Sequence, residues 1–134
     1  MSDYTMSVTM SADYDEAVPM VRSALADQGF GVLTEIDVKA TMKAKLDVDV
    51  PAQIILGACR PQLAHQVLEA TPSLGAMLPC NVVVRTDESG ATVVEAIDPD
   101  AMARLEESAV VHEVAAEAKR RLRAALDALS EGEH

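Results

Sequence analysis

The residues of this chain with the most chemical reach are its two cysteines, Cys59 and Cys80, and both stand at the edge of a strand-like run. Cys59 follows the apolar run from Gln53 to Ala58, and Pro61, two positions on, suits the first turn of a helix. A thiol just before a helix N-terminus meets free N–H groups and the positive end of the helix dipole, which favours the thiolate. Arg60 adds positive charge beside it. Cys80 follows Pro79 and opens the run from Asn81 to Arg85. Such a pair could act as a redox couple, carry bound sulfur, or ligate a soft metal such as zinc or copper. His65, within the helix that Pro61 opens, is a further candidate for that site. Packing offers the other account: free cysteine is a small hydrophobe that most often sits in cores, and no Cys-x-x-Cys spacing occurs.

A second cluster comprises Thr34, Glu35, Asp37, Lys39, Thr41 and Lys43, at a strand-to-helix junction. Polar groups gathered at sheet ends often bind ligands, and a Glu–Lys arrangement can hold a small anion or move a proton. The alternative is a solvated turn whose exposed ion pairs contribute little. His112, among Val110, Val111 and Val114, reads as a helix-face histidine. Gly29-Phe30-Gly31 lacks both the further glycine of a dinucleotide fingerprint and the lysine of a P-loop. No Ser-His-Asp order, His-Glu-x-x-His pair or Cys-rich knuckle is present, so no enzyme class has motif support.

The elements that must position these groups follow from periodicity. Met6, Val8 and Met10 alternate with polar residues and predict a half-buried strand over 5–11. Asp13 and Glu16 have capping-box spacing, and Val18, Val21 and Leu25 carry a helix to Gly29. Pro19 interrupts this helix, so a later start near Asp15 or a kink is expected. The pattern then predicts a strand over 30–36, a short amphipathic helix over 38–46, a turn over 47–51 and a strand over 53–58. A helix from Pro61 to about Ala70 precedes an unusually apolar loop, 71–79. Strands over 81–85 and 91–97 flank a tight turn at 87–90. Asp98-Pro99 caps and opens a helix, and Val111, Val114, Ala118, Leu122, Ala125 and Leu129 mark a last helix over 110–129, with 130–134 a frayed tail. His134 is expected to be inert. The order β-α-β-(α)-β-α-β-β-α describes an α+β single domain: about five strands in a mixed sheet, helices packed mainly on one face. A sheet covered on one side predicts a homodimer.

Composition removes several partners. The 134 residues and their 49% apolar share suit one domain with a real core. There is no Trp, and Phe30, Tyr4 and Tyr14 are the only aromatics, so no run of stacking faces exists for single-stranded nucleic acid. The net charge of −11 points the same way. The basic run Lys119-Arg120-Arg121-Leu122-Arg123 lies toward the end of the last helix, where cations complement the dipole, with Glu106, Glu107, Glu113 and Glu117 at the other end. No nucleic acid is expected. Neither a secretory signal nor a membrane-spanning run is evident, and two cysteines are too few for a disulfide scaffold, so a cytoplasmic protein is expected.

Three ordered stretches carry a resemblance: Gly29 to Leu46, Ile55-Leu-Gly-Ala-Cys-Arg-Pro61 and Leu78-Pro-Cys-Asn-Val-Val-Val84. They resemble the bacterial and archaeal family known as domain of unknown function 302, over about Tyr14 to Leu129. The resemblance implies a compact α/β domain that forms homodimers and implies no established activity. Here Cys59-Arg60-Pro61 stands where Cys-Asn-Pro is usual, and Pro51-Ala52-Gln53 where an aromatic residue is expected. The leading expectation is a homodimeric binding module holding a small ligand or a sulfur species near Cys59, Cys80, Glu35, Asp37, Lys39 and His65. The alternatives are a small enzyme with Cys59 as nucleophile, assisted by Glu35 or His65, and a structural partner-binding domain without chemistry.

Overall fold

In the computed structural model, which describes residues 3–131, five strands form one sheet in the order β1-β5-β4-β3-β2. The strands are β1 (Thr5–Met10), β2 (Gly31–Asp37), β3 (Gln53–Cys59), β4 (Cys80–Thr86) and β5 (Thr92–Ile97). All four neighbouring pairs are antiparallel, so the sheet is not mixed as the sequence suggests. The reason is the connection from β2 to β3. Helix α2 (Val38–Leu46) and a short loop return the chain beside β2 in the opposite direction.

Alternation decides what each face does. Met6, Met10, Val94, Ala96, Val82, Val84, Ile54, Leu56 and Ala58 point to one face and are buried. That face is covered by α1 (Tyr14–Asp27) and α5 (Ala109–Glu131), which contribute Ala17, Val21, Ala24, Leu25, Leu122, Ala125, Leu126 and Leu129. Full burial of each large aliphatic chain favours folding by about 1.5–3 kcal/mol. The small alanines let the helices approach the sheet closely. Phe30 is the one aromatic residue buried within this core, and Tyr14 packs against it part-buried.

The helix ends follow local chemistry. Asp13 caps α1 by accepting from the Glu16 amide at 3.0 Å. Pro19 sits inside α1 without ending it; the residue is exposed, and the bond it cannot make would go to the solvent-side carbonyl of Asp15. Asp98 caps the short helix α4 (Pro99–Ala103), and α3 (Pro61–Ala70) begins on its proline. The apolar segment 71–79, expected as a loop, contains a 3-10 helix over Pro72–Met77. Helix α5 continues through Ser130 and Glu131, two residues into the expected tail; residues 132–134, His134 among them, lie outside the described residues.

The other face of the sheet is open. Register places Ser7, Glu95, Val83, Ile55 and Ile36 in one row across it. Helix α2 stands at the edge of this face and buries none of its side chains. On β3, Gly57 has no room for a side chain: a Cβ there would lie 2.0 Å from Thr34 Oγ1 and 2.7 Å from Pro79 Cγ. Gly57→Ala is therefore expected to lower unfolding free energy by about 1–3 kcal/mol, the usual cost of overpacking. Urea denaturation checks this, and Thr34→Ala in the same chain should restore part of the loss.

Candidate functional site

Helix α1 ends in a tight reversal. The amides of Gly29 and Phe30 donate to Ala26 and Leu25 carbonyls at 2.9 and 3.0 Å, and Gly29 takes φ +84°. Arg60 lies against this glycine, so that a Cβ would come 2.7 Å from its Nε. The same Nε donates to the Gln28 carbonyl at 3.3 Å, and Nη1 stands 3.6 Å from Glu117 of α5. Glu117 also accepts from Arg121 at 3.0 Å. Arg60 thus ties the end of β3 to both α1 and α5. Its neighbours on either side, Cys59 and Pro61, are held by that clamp.

At this end of the sheet the chain leaves β3, builds α3 and the 3-10 helix, and returns as β4. Leu63, Val67 and Leu74 of that excursion pack with Val111, Val114 and Ala118 of α5 in a second apolar cluster. Between this cluster and the main core lies a hollow of about 50 Å³. Phe30, Cys59, Leu63, Leu78, Cys80 and Met102 are among the residues that line it, with Arg60 as its charged member. At 10–15 Å³ per water, such a space accepts about four water-sized units. Ala58 pairs with Cys80 in the sheet, and Cys59 lies one residue further out. Both cysteines line the one cavity, a juxtaposition that the spacing in sequence leaves open.

Their protonation differs from the sequence-based expectation. Burial pushes the Cys59 thiol up rather than down. Removal from water outweighs the helix dipole, and Arg60 directs its charge to Gln28 and Glu117. Burial pushes Cys80 up to about 11, and the nearby Cys59 adds to the rise. Both thiols are free, and both are protonated near neutrality.

The remaining candidates stand elsewhere. Glu35, on the helix-covered side of edge strand β2, pairs with Arg22 of α1. Asp37 caps α2, accepting from the Ala40 amide at 2.9 Å, and Thr41 Oγ1 donates to the Asp37 carbonyl at 2.7 Å. Lys43 pairs with Asp47 at 2.9 Å, while Lys39 is exposed on α2. Asp37 faces Ile54, at the far end of β3 from Cys59. At a strand rise of about 3.3 Å per residue the two ends are roughly 17 Å apart. The junction is a helix start laced with exposed ion pairs, separate from the cysteines. His65 is 74% exposed on α3, 3.6 Å from Glu69, and does not line the cavity. His112 Nε2–H donates to the Glu106 carbonyl at 2.6 Å, and the residue is exposed. Sequence reasoning missed Met102 and Phe30 as cavity residues. Met102 stands part-buried on the short helix that Asp98-Pro99 opens, and nothing in its sequence context marks it as a cavity residue.

Among the described residues no group of three or more His, Cys, Asp or Glu could hold a metal ion, and no helix is long and apolar enough to cross a membrane. The fold and cavity define a small α+β domain with a one-sided antiparallel sheet. The family model described as Domain of unknown function DUF302 matches residues 6–129, and the chain belongs to that family. The crystal structure of an uncharacterised conserved DUF302 protein from Bacillus stearothermophilus is similar, with a TM-score of 0.87 and 29% sequence identity. The match covers 96% of this chain and 99% of that one. No curated protein matches the chain.

The raised pKa of Cys80 has a sign that can be tested. A thiol whose folded pKa exceeds its unfolded value stabilises the fold fully below about 9, and that contribution is lost as pH rises towards about 11. Two units correspond to about 3 kcal/mol. Urea midpoints are expected to fall between pH 8 and pH 10.5, and Cys80→Ala should flatten the decline. In a second measurement, iodoacetamide on native protein at neutral pH should label the half-buried Cys59 ahead of Cys80, read by peptide mass spectrometry. Equal labelling rates would contradict this placement.

Proposed function

We propose that the protein is a homodimeric binding module whose site is the cavity at the end of β3 and β4, with Cys59 and Cys80 as its distinctive groups. The observation that carries this reading is that both cysteines of the chain line one apolar hollow. The cargo is a compact, largely apolar ligand or a small sulfur species, matched to a space of about 50 Å³. A cysteine-dependent enzyme has less support. Burial raises the Cys59 pKa, and neither Glu35 nor His65 lines the cavity to act as its acid or base.

The dimer draws its support from the open face. On the three central strands its only charged residues are Arg85 and Glu95, and they pair with each other at 3.1 Å. Around them stand Ile55, Val83, Val93 and Ile97, partly exposed, with Ile36 49% exposed at the edge. Two copies that each carry −11 repel one another over most of their surface. A neutral, apolar face is where they can meet. Helix α2 gives a second reason: nine residues without a buried side chain make a marginal helix alone in water.

Native mass spectrometry of protein purified gently without oxygen tests the module. Mass beyond the bare chain that disappears in Cys59→Ser supports it; a clean chain, with or without the substitution, counts against it. Val83→Glu, on the open face, should convert the dimer to monomer in size-exclusion chromatography with light scattering. A dimer that persists unchanged would move the interface elsewhere.

A further inference from the structure

Three sulfur-bearing residues, not two, line the cavity: the thiol residues Cys59 and Cys80 and the thioether residue Met102. They come from the end of β3, the start of β4 and the short helix α4, three elements brought together only by the fold. Among the described residues, no carboxylate and no histidine lines the same space. Its donors are therefore uniformly soft and its walls are largely apolar, with Arg60 the one charged residue among them.

Thiolate and thioether donors select soft ions, and carboxylate and carbonyl donors select hard ones. Zinc completes four positions with sulfur, nitrogen or oxygen; this cavity offers three sulfurs and no nitrogen or oxygen ligand from His, Asp or Glu. A filled-shell monovalent ion is satisfied by two or three soft donors. The geometry points to copper(I) as the cargo, held between Cys59 and Cys80 with Met102 as the supporting thioether. This rests on the cavity being the binding site and names what it binds.

The step is a ligand exchange without electron transfer. Each thiol loses its proton as its sulfur–copper bond forms, so two protons leave for each ion bound, and copper stays monovalent. The two thiolates and the ion leave one negative charge, and Arg60, whose guanidinium is engaged by Gln28 and Glu117, is the one charged residue lining the same hollow.

Reduced full-length protein, kept anaerobic, would be titrated with copper(I) against the colorimetric chelator bathocuproine disulfonate. The expected result is one copper withheld from the chelator per chain. Cys59→Ser should weaken retention by at least roughly a hundredfold, the upper end of what losing a mere outer-shell partner costs. Met102→Leu, a volume-conserving change that keeps the fold, should weaken it by a smaller factor. It provides the test should Cys59→Ser fail to give the native circular dichroism spectrum. Wild-type protein that yields all its copper to the chelator would overturn the assignment, as would retention unchanged in both variants. An organic or sulfur adduct that depends on Cys59, found in protein that does not retain copper(I), would overturn the metal and leave the binding module standing. No adduct and no copper would overturn both.

Discussion

Everything in this molecule depends on covering one face of a five-stranded sheet with two helices. Leu56, Val84, Val94 and Ala96 have no exposed surface, and the residues above them on α1 and α5 are mostly Ala, Val and Leu. Burial of this kind contributes roughly 25 cal/mol for each Å² removed from water, and no other interaction here approaches its sum. Exposed ion pairs such as Arg22–Glu35 or Lys43–Asp47 add little by comparison. Because the buried side chains alternate with period two, the core also fixes the register. A slip of one residue would turn Val82 and Val84 outward and Val83 and Arg85 inward. The placement of Cys80 beside Ala58, and so the existence of a shared cavity, is a consequence of that register.

Much of this was legible in the residues. Helix α2 and helix α3 run from Val38 to Leu46 and from Pro61 to Ala70, as their patterns and flanking residues indicate. The alternation of Met6, Val8 and Met10 reveals β1, and Asp98-Pro99 marks the start of α4. Strand direction was less legible. A helix between two strands usually signals a parallel crossover, but α2 is short and buries nothing, so β3 returns antiparallel to β2. Pro19 suggested an interruption because sequence shows the lost hydrogen bond and not the solvent that replaces it.

The site divides along the same line between local and distant effects. A cap such as Asp37 involves a few neighbouring residues and can be read directly. Whether Glu35 joins Cys59 depends on register: Glu35 lies opposite Leu56 on the paired strand, three residues short of Cys59, and turns to Arg22 instead. The thiol pKa is the sharpest case. Helix N-terminus and Arg60 are visible in sequence and both argue for a thiolate, whereas much of the burial that outweighs them comes from Phe30 and α5, far away along the chain. Arg60 itself is diverted by Glu117, a residue that nothing local connects to it.

The excursion between β3 and β4 has an evolutionary meaning. Those two strands pair as a hairpin would, from Ala58 opposite Cys80 to Gln53 opposite Arg85, although α3 and the 3-10 helix intervene. The intervening segment, 61–79, sits on the hairpin as a loop and takes no part in its hydrogen bonding. Lengthening such a loop costs only about 0.6 kcal/mol per doubling. Its walls can therefore drift in shape and composition while the sheet beneath stays the same. The cysteines stand at its two feet, where the backbone is pinned, so the reactive atoms would remain in place as the chamber above them is remodelled.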